Sequence, residues 1–398
     1  IFFSYGEKLN LKKNLIISKY WDDIFNFDKS AIFKLFVPNN QNKNLKSAQK
    51  SNSQNIKSNL DLFFLDEFFD SKVFSKVLKS IFFIYYKNTK FILTKNKIFY
   101  YKNIDFWPIV KKSWMQSFCL YDLFFNLYFF FLIEKIVSNL ENNRKCFFLL
   151  ENQPWERALC FFWKKNFKKN IIGVVHAPIR FWDLRFFNIM KKKSLNYRPN
   201  VIALNGNHSY NLFNKEYLGQ KKILLDSLRY KKINFKSNPS KKNKTILIVG
   251  EYLDEINVKM IRSIENSKIL KSYKFIFLKH PSNEKYYSSN YLKFKFLSKK
   301  DLIYKYNFDY CIIPHNSSAI IDFKLIGKKI VIFLYNQMPN LSPLFPKIID
   351  NCAYDSKSLD VIFSKKISDK FNKKLKFSEI FYSTKDKKKW KKILSNIK

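Results

Sequence analysis

Glycine is scarce in this chain, with six in 398 residues. They form no GxGxxG and no GxxxxGK[ST], so neither a dinucleotide fingerprint nor a P-loop is present. Arginine is nearly as scarce, seven of the 74 basic residues. Nucleic-acid readers rely on arginine for bidentate contacts to bases and phosphates, so direct nucleic-acid recognition is disfavoured despite a net charge of +43. The four histidines (His176, His208, His280 and His315) are dispersed, with no HExxH and no DxD, and no metal site or cofactor is expected. A GxSxG nucleophile elbow is missing as well. The five cysteines are far apart, odd in number and lack a CxxC pair, which argues against a disulfide framework and for a reducing cytoplasm. Cys146, Cys160 and Cys311 sit in apolar runs and are expected to be buried thiols. The opening IFFSYGEKLN turns polar too early for a secretory signal, and a start at Ile leaves a longer parent chain open.

What is abundant is lysine and aromatics, including 44 Phe and 23 Tyr. The skew toward Lys, Phe, Ile, Asn and Tyr resembles the imprint of A+T-rich coding. The lysines are scattered along the whole chain, which suits loose attraction to anionic lipid headgroups or polymers better than a specific partner. The length suffices for two domains with real cores. One run, FCLYDLFFNLYFFFLIEKIV at 118–137, is long enough to span a bilayer, but Asp122, Asn126 and Glu134 interrupt it; a buried helix is expected.

Residues 39–60 are polar and predict a loop, and LDLFFLDEFF after them suggests helix. From about residue 145, short apolar runs alternate with helix-length segments. KCFFLL, NIIGVVHA, NVIALNG, TILIVGE, YKFIFLKHP, FDYCIIPHNSS and KKIVIFLYN all predict buried parallel strands. The fold expected is α/β: doubly wound sheets in two domains, 1–229 and 245–398, with a basic linker at 230–244 and the last helices assigned to the second domain.

In such sheets ligands bind at the carboxyl ends of strands. The distinctive polar residues fall there: Glu151 to Gln153, His176, Asn205, Glu251, Lys279-His280-Pro281, and His315 to Ser318. Ser317 and Ser318 are placed to cap a helix beginning at Ala319 or to hold a phosphate oxygen, and Gly327 to end that helix. Pro281 biases His280 away from helix.

ENQPWERAL, IGVVHAPIRFWDLRFF, SLRY, LKHP, NSSAIIDFKLIGKKIVIF and NLSPLF, in that order, resemble a family of bacterial surface-carbohydrate biosynthesis proteins. These are similar to GT-B glycosyltransferases, built from two facing Rossmann-like domains, and the resemblance runs over roughly residues 145–346, about half the chain. LKHP and the serine pair also resemble the HP and SS motifs of bacterial sialyltransferases and Kdo transferases. That resemblance implies a nucleotide-sugar donor, with a CMP-activated acidic sugar as one form of it, bound by Glu251, Lys279, His280, Pro281, His315, Ser317 and Ser318. The acidic base motif of the sialyltransferases is missing. Glu151, Glu156 and His176 stand in as catalytic candidates, and Gln153, Arg180 and Asp183 as acceptor-binding ones. Trp155 and Trp182 are sugar-stacking or core residues. The expected activity is metal-independent sugar transfer to a capsule, O-antigen or glycolipid precursor, by an enzyme in the cytoplasm or peripheral at the inner face of the cell membrane. A sugar-nucleotide epimerase of the same fold, or a non-catalytic lysine-rich protein bound to polyanions or membranes, are the alternatives. Acceptor recognition is expected in the first 140 residues.

Overall fold

A computed structural model of the chain describes residues 1–4, 9–12, 15–27, 30–35, 44–49, 60–93, 99–140, 145–167, 170–183, 186, 192–212, 220–230, 244–280, 283, 294–297, 308, 310–335, 338–346, 351–364 and 375–395. In chain order these form β1 (Phe2–Ser4), a hairpin of β2 (Leu9–Lys12) and β3 (Leu15–Ser18), β4 (Ser30–Lys34), a helical turn α1 (45–49) and β5 (Leu60–Phe64). A helical insert follows: α2 (Ser71–Leu93), a small hairpin of β6 (Tyr100–Tyr101) and β7 (Ile104–Asp105), α3 (Trp107–Ser117) and α4 (Leu120–Ser138). Alternation then sets in with β8 (Cys146–Leu149), α5 (Pro154–Asn166), β9 (Ile171–Val174), β10 (Val201–Leu204), α6 (Asn207–Leu212) and β11 (Lys221–Leu224). The second half holds β12 (Thr245–Val249), α7 (Asp254–Glu265), β13 (Lys274–Leu278), β14 (Phe294–Leu297), β15 (Tyr310–Pro314), α8 (Ala319–Leu325), β16 (Lys329–Phe333), β17 (Cys352–Ala353) and α9 (Ser356–Ser364). Two short helices, α10 (Phe377–Ile380) and α11 (Lys388–Ser395), close it.

Two sheets result. The first runs β11-β10-β9-β8-β1-β4-β5 and the second β14-β13-β12-β15-β16-β17, and every pairing in both is parallel. Counted in chain order, both read 3-2-1-4-5-6, the first with one further strand beyond the sixth. This is the doubly wound Rossmann order, in which the crevice lies where the winding reverses, here between β1 and β8 and between β12 and β15. Each sheet is packed on both faces, so its strands read as unbroken apolar runs. Phe3, Phe33 and Phe148 face one side of the first sheet and Phe2, Phe147 and Ile172 the other. Much of the aromatic excess is used here, as ladders across strands: Phe2 stacks on Phe147 at 5.2 Å, and Phe33 on both Phe3 and Phe63 at 5.1 Å.

Every strand expected after residue 145 is present, and Cys146, Cys160 and Cys311 are buried. The strands before it were not expected. LDLFFLDEFF is not helix throughout: its first five residues are edge strand β5, and only Leu65–Phe68 turn, as a 3-10 helix. The polar segment 39–60 contains the turn α1 and ends in β5, and its other residues lie almost wholly outside those described. The apolar run at 118–137 is the helix α4, buried along Leu132, Ile133, Ile136 and Val137 and exposed at its start. Among the described residues no helix is long and apolar enough to cross a membrane.

The chain passes between the sheets twice. It leaves the first after Tyr230, and residues 231–243 of the expected linker lie outside those described. It returns alongside: Tyr230 stacks on Phe381 at 4.2 Å, and Tyr382 takes the N–H of Ser227 (2.8 Å) and donates its own to the Asn205 carbonyl (2.9 Å). Trp390 of α11 is fully buried against Phe147 and Trp21, and its Nε1 donates to the Asp226 carbonyl at 2.9 Å. The last helix therefore packs on the first sheet, although sequence alone grouped it with the second. Two facing Rossmann-like sheets with paired crossings make the architecture GT-B-like.

Candidate functional site

The turn after β8 is built around Glu156. Pro154 begins α5 with Gln153 as its N-cap, and Asn152 takes the left-handed conformation with φ 62°. That curl aims the backbone N–H groups of Glu151 and Asn152 at the two carboxylate oxygens of Glu156, each at 2.9 Å. Glu156 is only 2% exposed. Burial pushes its carboxyl up to about 8, against the backbone N–H groups, which favour the anion. Its place is thus beneath the turn. Glu151 points the other way, half exposed, with Oε1 3.3 Å from Nε2 of His176 at the end of β9. His176 packs edge-on to Tyr20 at 4.7 Å, and the Arg229 guanidinium lies over the Tyr20 ring at 5.4 Å. Gln153 is exposed at the helix start. Trp155 is buried against Phe148, which makes it core.

The loop after β9 carries Arg180 to the second sheet, where its Nη2 donates to the Asn316 carbonyl at 2.5 Å. Asp183 closes the turn, its N–H donating to the Arg180 carbonyl at 3.0 Å. Phe181 and Trp182 rest on Phe345, with ring centres 5.4 and 6.4 Å away, so Trp182 helps hold the loop to the other half.

On the second sheet the two strands at the reversal are tied by Glu251 and Asn316. The Asn316 Nδ2 donates to Glu251 Oε1 at 2.6 Å, and the Leu253 N–H donates to Oε2. Asn257 of α7 fixes the backbone of Glu251 from both sides, at 2.7 and 2.8 Å. Lys279 and His280 follow β13, half-buried; His280 stands edge-on to Tyr252 at 6.2 Å, and Asn283 from the same loop reaches the Glu251 carbonyl at 3.4 Å. Pro281 lies outside the described residues. The expected double serine cap is half realised: Ser317 Oγ accepts the Ala319 N–H at 3.3 Å, whereas Ser318, at the N-cap itself, makes no side-chain cap. Gly327 ends the helix as expected, at φ 80°. His315 is fully buried and accepts the Leu341 N–H on Nδ1 at 3.0 Å, so its Nε2 carries the proton, with no hydrogen-bond partner among the described residues. Burial, and then the charge of Arg180, lower its pKa and keep it neutral.

The structure brings Glu151 together with His176, and Arg180 together with Glu251, His315 and the serine turn. Asn316 was given no role from the sequence beyond its place in the stretch His315 to Ser318, although it joins the two halves through Arg180. Asn205, Asp226 and Tyr20, which line the floor beside His176, were also not assigned a role there. For Asn316 the one available signal was its place between two singled-out neighbours, His315 and Ser317.

No protein-family profile matches this chain, and no curated protein sequence does. Solved structures resemble it in outline. UDP-N-acetylglucosamine 2-epimerase from Rickettsia bellii is 13% identical with a TM-score of 0.49, over 100% of this chain and 95% of that one. MnaA of S. aureus, solved with UDP, is 10% identical with a TM-score of 0.44, over 100% and 95%. MurG of Acinetobacter baumannii is 9% identical with a TM-score of 0.45, over 68% and 80%. The fold assignment rests on the two strand orders and the paired crossings described above.

Proposed function

We propose that the chain is a glycosyltransferase that moves a sugar from a nucleotide donor to a hydroxyl of a surface-polysaccharide or glycolipid precursor. The observation that carries this is the Arg180–Asn316–Glu251 chain, which joins the carboxyl edges of two Rossmann-like sheets at the point where ligands bind such sheets. In this reading the donor nucleotide lies on the second sheet. His280 and Lys279 on one side, with Ser317 and Ser318 on the other, take its phosphate oxygens. Glu251 and Asn316 act as positioning residues, because both Glu251 oxygens already accept protein hydrogen bonds. His315 offers its Nε2–H as a neutral donor.

Glu151 is the base, with Glu156 fixing the turn beneath it. The bond between the anomeric carbon and the phosphate oxygen breaks as the acceptor oxygen bonds to that carbon. The acceptor proton passes to Glu151, and His176 at 3.3 Å steadies the resulting charge change. Arg180 and Lys279 offset the negative charge that develops on the leaving phosphate. Asp183 and Gln153 face the acceptor. A CMP-activated acidic sugar is the donor we favour, by the likeness of LKHP and the serine pair to the HP and SS motifs, and capsule or lipopolysaccharide assembly is the setting.

Calorimetric titration with CMP, UDP, GDP and ADP, on the wild type and His280→Ala, tests this. CMP binding that is lost in the variant is the expected result. UDP or GDP binding instead moves the donor to a neutral hexose. A nucleotide-sugar that is epimerised without any acceptor makes the chain an epimerase. Binding to heparin with no nucleotide bound returns it to the non-catalytic reading.

A further inference from the structure

We infer that the helical insert α2–α4 is a docking surface for an anionic phospholipid bilayer. None of its residues belongs to the nucleotide-sugar site, so the inference stands apart from that reading. Along α2, Val73, Val77 and Ile81 are buried, and Val77 and Ile81 meet Leu123 of α4 in a small separate core. α2 and α4 run antiparallel, as the Lys76–Glu134 ion pair (2.7 Å) and the bond from the Tyr85 hydroxyl to the Phe118 carbonyl (2.6 Å) show. The next face of α2, Phe74, Leu78, Phe82 and Tyr85 at three- and four-residue spacing, is exposed, with Tyr86 beside it. Phe82 is 74% exposed and Tyr86 70%, and Ile109 of α3 and Tyr121 of α4 are exposed to 74% and 72%. Helix α3 has no buried residue at all. An isolated domain rarely leaves so many large apolar side chains in water.

The charge pattern selects the occupant. Lys72 and Lys79 are exposed on the flank of the apolar face, and Lys111 and Lys112 are exposed on α3. Neither α2 nor α3 contains an acidic residue or an arginine. A second copy of this chain would bring lysine against lysine. An interfacial helix with Phe, Tyr and Trp at the headgroup level and lysine stems reaching phosphates matches a bilayer surface on both counts.

Flotation with phosphatidylcholine vesicles, with and without phosphatidylglycerol, tests this on the full chain. The wild type should float with the anionic vesicles and lose that binding in high salt. Combined Phe82→Ser, Tyr86→Ser, Ile109→Ser and Tyr121→Ser should weaken partitioning at least about a hundredfold, since each removes an exposed apolar group that the bilayer would bury. Combined Lys72→Glu and Lys79→Glu should weaken it on anionic vesicles only. The substitutions are at solvent-facing positions, and circular dichroism of both variants should match the wild type. The inference is overturned if the wild type stays with no vesicle, if the apolar variant floats as well as the wild type, or if the wild type is a dimer that this variant turns into monomers. Retention on RNA without flotation overturns it equally. Nucleotide titration of the same variants should be unchanged, and a chain that floats but binds no nucleotide refutes the transferase reading alone.

Discussion

Replacing Glu156 with Gln removes a titrating group from beneath the candidate base while keeping its volume. The Glu156 carboxyl is 2% exposed and is raised from 4.5 to about 8 by burial. Between those two values the folded chain holds a proton that the unfolded chain has released, so this group's contribution to stability is full below pH 4.5 and is lost as pH rises toward 8. At about 1.4 kcal/mol per pH unit, the loss across the window is on the order of 4 kcal/mol. Gln has one acceptor oxygen for the two N–H groups of Glu151 and Asn152, so Glu156→Gln leaves one of them facing an amide donor, at a cost of roughly 1–3 kcal/mol. Urea unfolding of both proteins at pH 5, 6, 7 and 8 is therefore expected to show the wild type clearly ahead at pH 5, with the gap narrowing or reversing by pH 8. A gap that stays constant over this range would mean that Glu156 does not titrate there, and the account of a buried carboxyl under the turn would be wrong.

Glu151→Gln should lower turnover at least about a hundredfold with the unfolding midpoint nearly unchanged, because its side chain is half exposed; equal turnover in the two proteins removes Glu151 as the base. In Glu156→Gln, turnover near neutral pH should stay within about tenfold of the wild type, since the group acts only through the turn. Arg180→Ala should weaken nucleotide binding by roughly tenfold, by cutting the guanidinium contact to Asn316, and calorimetry reads this directly. Gly206→Ala places a Cβ 1.9 Å from the Ile380 carbonyl oxygen and 2.6 Å from the Phe381 Cα, both backbone. It should cost roughly 2 kcal/mol or more by displacing the returning segment, and a thermal midpoint equal to the wild type's would contradict that packing.

The parallel strands after residue 145 were legible because strands covered on both faces must be continuous apolar runs, as FIFL and CIIP are, bounded by the polar residues that end them. The carboxyl edge of the sheets was legible for the same reason: a polar residue ending such a run, like Glu151, His176 or Glu251, stands there by geometry alone. The first strands were not, because Phe2–Ser4 is three residues long and carries no period. Its identity as the strand at the reversal comes from β4 and from β8, more than 140 residues away. Nor does local sequence separate Glu151 from Glu156. Only the left-handed Asn152 and the direction of α5 turn one carboxyl into solvent and the other under the turn.

The chain's own sequence determined the α/β class, the strands of its second half and the edge on which polar residues gather, since these follow from burial on two faces and from residue-by-residue polarity. Tertiary structure decided which of those residues meet. The Arg180–Asn316 contact joins residues 136 apart, and Trp390 completes the first sheet's core from the far end of the chain. No local pattern encodes such pairings, because they depend on how two separately wound sheets are set against each other by the segments that cross between them.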